Sequence, residues 1–369
     1  MKVLVTGSKG FIGKHLCYLL KKRECEVIEF DIDSSESILK DSIPEVDWII
    51  HLAGVMRPVN KSEFYTGNRD LTEKICKYIV DTDSKCSLLL TSSTQSTSNN
   101  DYGISKLEAE SICFNLSKTH GNKVAVFRLT NAFGKWGRPN YNSVVATFCN
   151  NIYNNLPIRI DDPSAIVNFI YIDDIIDSFV EIVFGEKTFS SNKPNKIYPE
   201  YPISIGELAE TLYCFKNCIS NKTMPIFKGR FERLLFNEFI SFGNPKDMLL
   251  EEEAKAINSS CKIMPVLNSN KGFSEIMLSM KADGEYGFVF HNSINLFLQT
   301  IEGTIDVLFK KPFEEKWEAI VLGTRNKTTI PCGYAYVLKN NSQNNAEVLL
   351  IFDASEKDVS NDCFVVAKK

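Results

Sequence analysis

Histidine is scarce in this chain of 369 residues, and long apolar runs are missing. The four histidines are His15, His51, His120 and His291, and no two stand at metal-ligand spacing. A histidine-rich metal centre is therefore not expected. No window approaches the ~18 uninterrupted apolar residues that a membrane helix needs. Neither sign of charge is in surplus: 42 Lys and Arg face 46 Asp and Glu, a net of −4. That balance leaves no electrostatic footprint for nucleic acid or an anionic membrane. The 11 cysteines are odd in number and scattered. The closest two, Cys214 and Cys218, have no second Cys/His pair to complete a zinc site. Reduced thiols and a cytoplasmic location are the expectation. Met1–Gly7 is apolar only briefly before glycine appears, which reads as a buried strand rather than a signal peptide. No internal repeat is visible.

What is present is alternation. Val3–Val5, Val27–Phe30, Trp48–Ala53, Leu88–Leu90 and Val124–Leu129 are short apolar runs of the kind buried on both faces of a parallel sheet. Between them run helical periodicities: Phe11, Ile12, Leu16, Leu19 and Leu20 on one face, then Leu71, Ile75 and Ile79, then Ile104, Leu107 and Leu116. The pattern predicts a doubly wound, Rossmann-like α/β sheet. A further helix is expected over 174–184, and Ser204 with Glu207 forms a capping-box signature before another. Beyond about residue 260, short strands separated by turns take over. They predict a second, all-β domain, a barrel or sandwich over 259–369. The first domain is assigned to 1–245 and a linker to 246–258, from the polar run Gly243–Lys246 and the acidic Glu251–Glu253.

The segment Thr6-Gly7-Ser8-Lys9-Gly10-Phe11-Ile12-Gly13 follows the first strand and opens the first helix. Glycines at 7, 10 and 13 suit a tight turn, close backbone approach to a pyrophosphate, and helix packing against the sheet. Asp31 closes the second strand, where a carboxylate can bind the adenosine ribose hydroxyls and repel a 2′-phosphate. This favours NAD(H), while Lys9 in the loop leaves NADP(H) possible.

Tyr102 and Lys106 stand one turn apart at the start of a predicted helix, and Ser92 and Ser93 end the strand before it. That set suits reduction of a ketone. A tyrosyl hydroxyl can protonate the developing oxyanion, and an ammonium can lower the tyrosine pKa and hold the nicotinamide ribose. A serine hydroxyl can bond the same oxygen. Together with the glycine loop, these residues resemble the extended short-chain dehydrogenase/reductase family, also called the NAD-dependent epimerase/dehydratase family, over residues 1–245. The resemblance implies Tyr102 as acid, Lys106 as its partner and Ser93 as carbonyl donor, Ser92 being one residue early. It also places Leu52, Ala53 and Gly54 after His51 on the cofactor side, and matches Asn68 to a helix asparagine. Arg128–Asn131 and Asn168–Asp174 match later motifs.

The segment Asn131–Cys149 resembles bifunctional capsular-polysaccharide reductases acting on UDP-linked N-acetyl-2,6-dideoxy-hexos-4-uloses. Asn131, Arg138 and Asn142 are its candidate substrate ligands, Arg138 as a bidentate phosphate partner. Trp136 or Tyr141 could stack on a base. In those enzymes the second domain is a metal-binding cupin that epimerises the sugar. Here Leu298–Thr304, Lys316-Trp317 and Ile330–Tyr336 resemble cupin epimerases, but His291 is the tail's single histidine and Tyr336 stands where those epimerases carry another. A degenerate cupin-like barrel without metal is expected, with His291 a lone structural residue. His15 and His120 read as solvated or structural.

The resulting expectation is an NAD(P)H-dependent 4-keto reductase of a nucleotide-activated deoxysugar, serving capsular or surface polysaccharide biosynthesis and forming a homodimer. A nucleotide-sugar 4-epimerase shares the same Ser, Tyr and Lys. A catalytically silent dinucleotide-binding assembly protein is the alternative from another class. A 4,6-dehydratase would need an acid beside the serine, and Thr94-Gln95 supplies none.

Overall fold

The computed structural model describes residues 1–221, 223–244, 253–269, 272–312 and 314–366. The chain divides into two compact units: Met1–Leu212 with Gly229–Gly243, and Tyr213–Lys228 with Asn244–Lys369. The second thus takes in Tyr213–Lys228, which the sequence pattern leaves with the first. Of the linker expected at 246–258, residues 246–252 lie outside the described residues. Lys255–Ala256 is a strand, paired with Cys261–Ser269.

The first unit runs β1 (Lys2–Thr6), α1 (Phe11–Lys22), β2 (Glu26–Phe30), α2 (Glu36–Ser42), β3 (Trp48–His51), α3 (Ser62–Phe64), α4 (Leu71–Asp81), β4 (Ser87–Ser93), α5 (Asp101–His120) and β5 (Val124–Leu129). There follow β6 (Asn131–Phe133), α6 (Val144–Tyr153), β7 (Ile166–Tyr171), α7 (Ile172–Val183), β8 (Tyr201–Ser204), α8 (Ile205–Ser220), whose residues from Tyr213 fall in the second unit, and α9 (Arg230–Ile240). The five parallel strands lie in the order β2-β1-β3-β4-β5. The chain order reverses between β1 and β3, and ligands of open α/β sheets bind at the carboxyl ends beside such a point. Val3–Val5, Ile49, Ile50, Leu88–Leu90 and Val124–Phe127 are all buried, as strands covered on both faces require. The expected capping box also forms: Glu207 N–H donates to Ser204 Oγ, and Ser204 N–H to the Glu207 carboxylate, both at 3.2 Å. Two caps fix α5: Asn100 Oδ1 accepts from Gly103 N–H at 2.8 Å, and Gly121 closes the far end at φ +76°.

In the second unit two antiparallel sheets enclose one core, built from Leu278, Leu296, Leu298, Val307, Leu338, Val348 and Leu350 among others. The fold is an α/β sheet followed by an all-β unit, as the pattern predicts. Strands are added to those expected, the longest being Cys261–Ser269, Ser274–Met280 and Lys327–Ile330, with the short Thr223–Met224, Lys255–Ala256 and Cys363–Val365. Cys261–Ser269 hides its strand character because Pro265 interrupts it, and the pairing register shifts between Pro265 and Leu267. Among the described residues, no helix is long and apolar enough to cross a membrane.

Candidate active site

The glycine loop is sterically committed. Gly7 sits at φ +70°, and a Cβ there would lie 2.7 Å from Ala53 N; a Cβ on Gly13 would lie 2.1 Å from Gly7 O. No side chain caps α1, and no acid occupies its first turn. Its amides and positive dipole end are left for an anion, which fits a dinucleotide pyrophosphate. At the end of β2, Asp31 Oδ2 accepts from Lys9 N–H at 2.7 Å and Oδ1 from Ile32 N–H at 2.8 Å. Lys9 Nζ is engaged by Asp33 at 2.5 Å.

His51 clamps three elements beneath this crevice. Its Nδ1 lies 2.7 Å from Thr6 Oγ1 and its Nε2 3.0 Å from Thr72 Oγ1. Thr72 spends its hydroxyl proton on Asn68 O at 2.6 Å. It must therefore accept from His51 Nε2–H, leaving Nδ1 to accept from Thr6. Burial holds the ring neutral, pushing its pKa down to about 3. Asn68, in a widened turn over Tyr65–Asp70, accepts from Val55 N–H at 2.8 Å and donates to Val55 O at 3.1 Å and Ser105 Oγ at 3.0 Å. A Cβ on Gly54 would meet Asn68 Oδ1 at 2.8 Å and Lys106 Nζ at 3.3 Å. Gly54, Asn68 and Lys106 are thus brought together.

Lys106 is buried, and its Nζ donates to Thr91 O at 2.9 Å. Burial lowers its pKa to about 8, against the opposing charge of Glu110. Tyr102 lies near Ser93; burial raises its pKa and the Ser93 hydroxyl opposes that shift. This differs from the expectation that Lys106 lowers the phenol's pKa: the ammonium points to a β4 carbonyl, and desolvation dominates at Tyr102. The serine register is resolved by strand alternation. Ser93 faces Tyr102, whereas Ser92 is buried and donates to Glu110 Oε1 at 2.5 Å. Glu110 also takes Arg128 Nε at 2.9 Å and Nη2 at 2.7 Å. Gly103 is a further constraint, since a Cβ there would lie 2.4 Å from Gln95 O.

Tyr102 opens on a cavity of about 390 Å³ whose wall includes Arg57, Phe64, Gln95, Asn131 and Asn142. Arg138 stands apart from this wall, exposed and 4.8 Å over the Tyr141 ring. Trp136 is half-exposed, but its ring lies against buried His15 at 4.4 Å, so His15 is a packing residue. His120 is exposed and bonds Thr119.

The second unit holds a cavity of its own, about 430 Å³, lined by His291, Tyr336, Tyr286 and Ser274 among others. His291 is not alone there. Its Nδ1 donates to Asp362 O at 3.1 Å, which leaves Nε2 to accept from the Tyr336 hydroxyl at 3.3 Å. Burial lowers the His291 pKa and pushes Tyr286 up to about 12. Among the described residues, no three His, Cys, Asp or Glu side chains converge to hold a metal ion. The donor set does not fit a metal-dependent cupin.

Comparison with known proteins agrees with this geometry. Residues 3–189 match the NAD dependent epimerase/dehydratase family. Over 289 residues the chain is 39% identical to UDP-2-acetamido-2,6-beta-L-arabino-hexul-4-ose reductase of Pseudomonas aeruginosa, covering 78% of this chain and 74% of the relative. It is 26% identical over 228 residues to dTDP-4-dehydro-6-deoxyglucose reductase of Escherichia coli, covering 48% of this chain and 71% of that one. The crystal structure of capsular polysaccharide assembling protein CapF from Staphylococcus aureus superposes with a TM-score of 0.88 at 26% identity, covering 99% of this chain and all of that one. The chain is an enzyme of the NAD dependent epimerase/dehydratase family.

Proposed function

We propose that this enzyme reduces the 4-keto group of a nucleotide-activated deoxysugar, a UDP-linked N-acetyl-2,6-dideoxy-hexos-4-ulose, in capsular or surface polysaccharide biosynthesis. The observation that carries the reading is Tyr102, flanked by Ser93 and one turn from buried Lys106, at the wall of a polar cavity. The substrate class follows the curated relative's name. The nicotinamide dinucleotide, when bound, supplies the hydride. Tyr102 Oη gives its proton to the ketone oxygen, and Ser93 Oγ bonds the same atom. Lys106 Nζ holds the ribose and keeps a proton close to the phenol. Asn131 and Asn142 orient the sugar. The test is incubation with that ketose and NADH, following the nicotinamide absorbance. Stoichiometric oxidation is expected; NADH left unoxidised would refute the reductase, and inversion at C4 of the corresponding 4-hydroxy UDP-sugar with NAD would then separate a 4-epimerase from a silent protein.

NADH is the proposed cofactor, because Asp31 closes β2, where a carboxylate can bind the ribose hydroxyls, and Asp33 engages Lys9. Asp31→Ala is expected to weaken NADH binding and relax discrimination against NADPH. Charged hydrogen bonds of this kind contribute roughly 1.5–3 kcal/mol. Fluorescence titration with both cofactors measures it, and a wild type that strongly prefers NADPH would refute the assignment.

The barrel domain is proposed to bind no metal and to perform no epimerisation, on the strength of its donor set. Metal content of protein purified without chelator, and deuterium uptake at the sugar's C3, are both expected to be negligible. Stoichiometric metal, or uptake lost on deleting residues 259–369, would overturn this.

A further inference from the structure

Glu238 lies on α9 and is fully buried. Its Oε2 accepts from Gly134 N–H at 2.7 Å, while its Oε1 has no hydrogen-bond partner among the described residues. Oε1 also faces the far end of the same turn: a Cβ on Gly137 would lie 3.2 Å from it. The turn cannot easily rearrange around this carboxyl. Gly134 has φ +142°, and a Cβ there would lie 2.4 Å from Ile172 Cγ2. Trp136 and Asn140 also sit at positive φ, 68° and 56°. Such backbone persists only where its surroundings hold it. Two contacts from outside the turn hold its main chain, Glu238 on Gly134 and Thr147 Oγ1, which accepts from Asn140 N–H at 3.0 Å. On either side of the turn stand Asn131 and Asn142, both in the wall of the Tyr102 cavity.

We propose that Glu238 is the positioning residue of segment 131–142: its carboxyl holds the Gly134–Gly137 turn, and through that turn it sets Asn131 and Asn142 for the substrate. The inference rests on the proposed ketose reduction.

The chemistry of the carboxyl adds a pH signature. Burial raises the Glu238 pKa to about 8, the Gly134 amide alone opposing it. The titratable groups that sense it are Cys149 on α6 and Tyr171 on β7. Burial pushes both up, Tyr171 to about 12, so neither is charged when Glu238 ionises. Below pH about 8 the group is a neutral acid that accepts from Gly134; above it, a bare charge with one unpartnered oxygen strains the turn.

The experiment compares wild type, Glu238→Gln and Glu238→Ala with NADH and the UDP-linked 4-keto sugar, alongside hydrogen–deuterium exchange of the free proteins. Glutamine keeps an acceptor for Gly134 and is expected to match wild-type KM and kcat at pH 7. Alanine is expected to raise KM about 10-fold, since misplacement by about 1 Å can cost up to 10²-fold. Its NADH affinity stays unchanged, and exchange accelerates in 131–142 but not in the parallel sheet. Wild-type KM should rise above pH about 8 and that of Glu238→Gln should not. An alanine variant with wild-type KM and unaltered exchange would overturn the proposal, as would superimposable alkaline profiles for wild type and glutamine. If the alanine variant does not fold, the glutamine profile decides. If wild type does not reduce the ketose, the functional reading fails, and exchange in 131–142 still judges Glu238.

Discussion

Tyr102→Phe is expected to lower kcat by about 10²–10⁴ while leaving NADH affinity and thermal stability near wild type. The phenylalanine ring keeps the packing that Tyr102 makes with Phe64, whose centroid lies 5.7 Å away, so the variant removes one hydroxyl and little else. Burial raises the tyrosine's pKa, so the phenol enters the reaction carrying the proton it must donate. Lys106, with its pKa at about 8, is mostly charged at neutral pH and can restore that proton. Single-turnover kinetics and cofactor titration on the same preparation separate the two effects. A Phe variant that retains wild-type kcat would remove Tyr102 from the role of acid. One that loses NADH binding in parallel would mean the hydroxyl serves the cofactor rather than the ketone.

The parts of this site that depend on chain-local rules were legible in the sequence. The five parallel strands are short apolar runs because both their faces are covered, and the glycine loop declares itself because no side chain fits at Gly7 or Gly13. The spacing of Tyr102 and Lys106 needs only the helix period. What stayed hidden depends on groups that meet through the fold. The resemblance prefers Ser93 over Ser92 at the strand end, but it does not convey that the pleat turns Ser92 to the buried carboxylate of Glu110. Glu110 reads as an ordinary solvated helix acid until β5 brings Arg128 beside it. Arg138 is expected as a phosphate ligand from a segment resemblance, which conveys residue types without their directions; its guanidinium lies over the Tyr141 ring. His15 and Trp136 became partners only when the turn after β6 reached α1. In the second unit, the register shift after Pro265 masks a nine-residue strand, and His291 gains its tyrosine partner through sheet pairing.

The second large effect concerns the ion pair under the site. Glu110 is 1% exposed, and its carboxylate is satisfied by Arg128 from two nitrogens and by Ser92. Removing one partner of such a pair leaves an uncompensated buried charge, at a cost of about 3–5 kcal/mol. Arg128→Met is therefore expected to lower the urea midpoint strongly. The double variant Arg128→Met with Glu110→Leu should recover much of the loss, because an apolar pair of similar volume needs no desolvation. Glu110 also acts on the chemistry, because its charge opposes the burial that lowers the Lys106 pKa. Glu110→Gln should accordingly lower that pKa below about 8 and move the alkaline limb of kcat/KM to lower pH. Urea titrations of the single and double variants test the first consequence, and a rate profile of Glu110→Gln tests the second. A double variant no more stable than Arg128→Met would show that Glu110 is not the group left unpaired. An unmoved alkaline limb would separate this ion pair from the ammonium of Lys106.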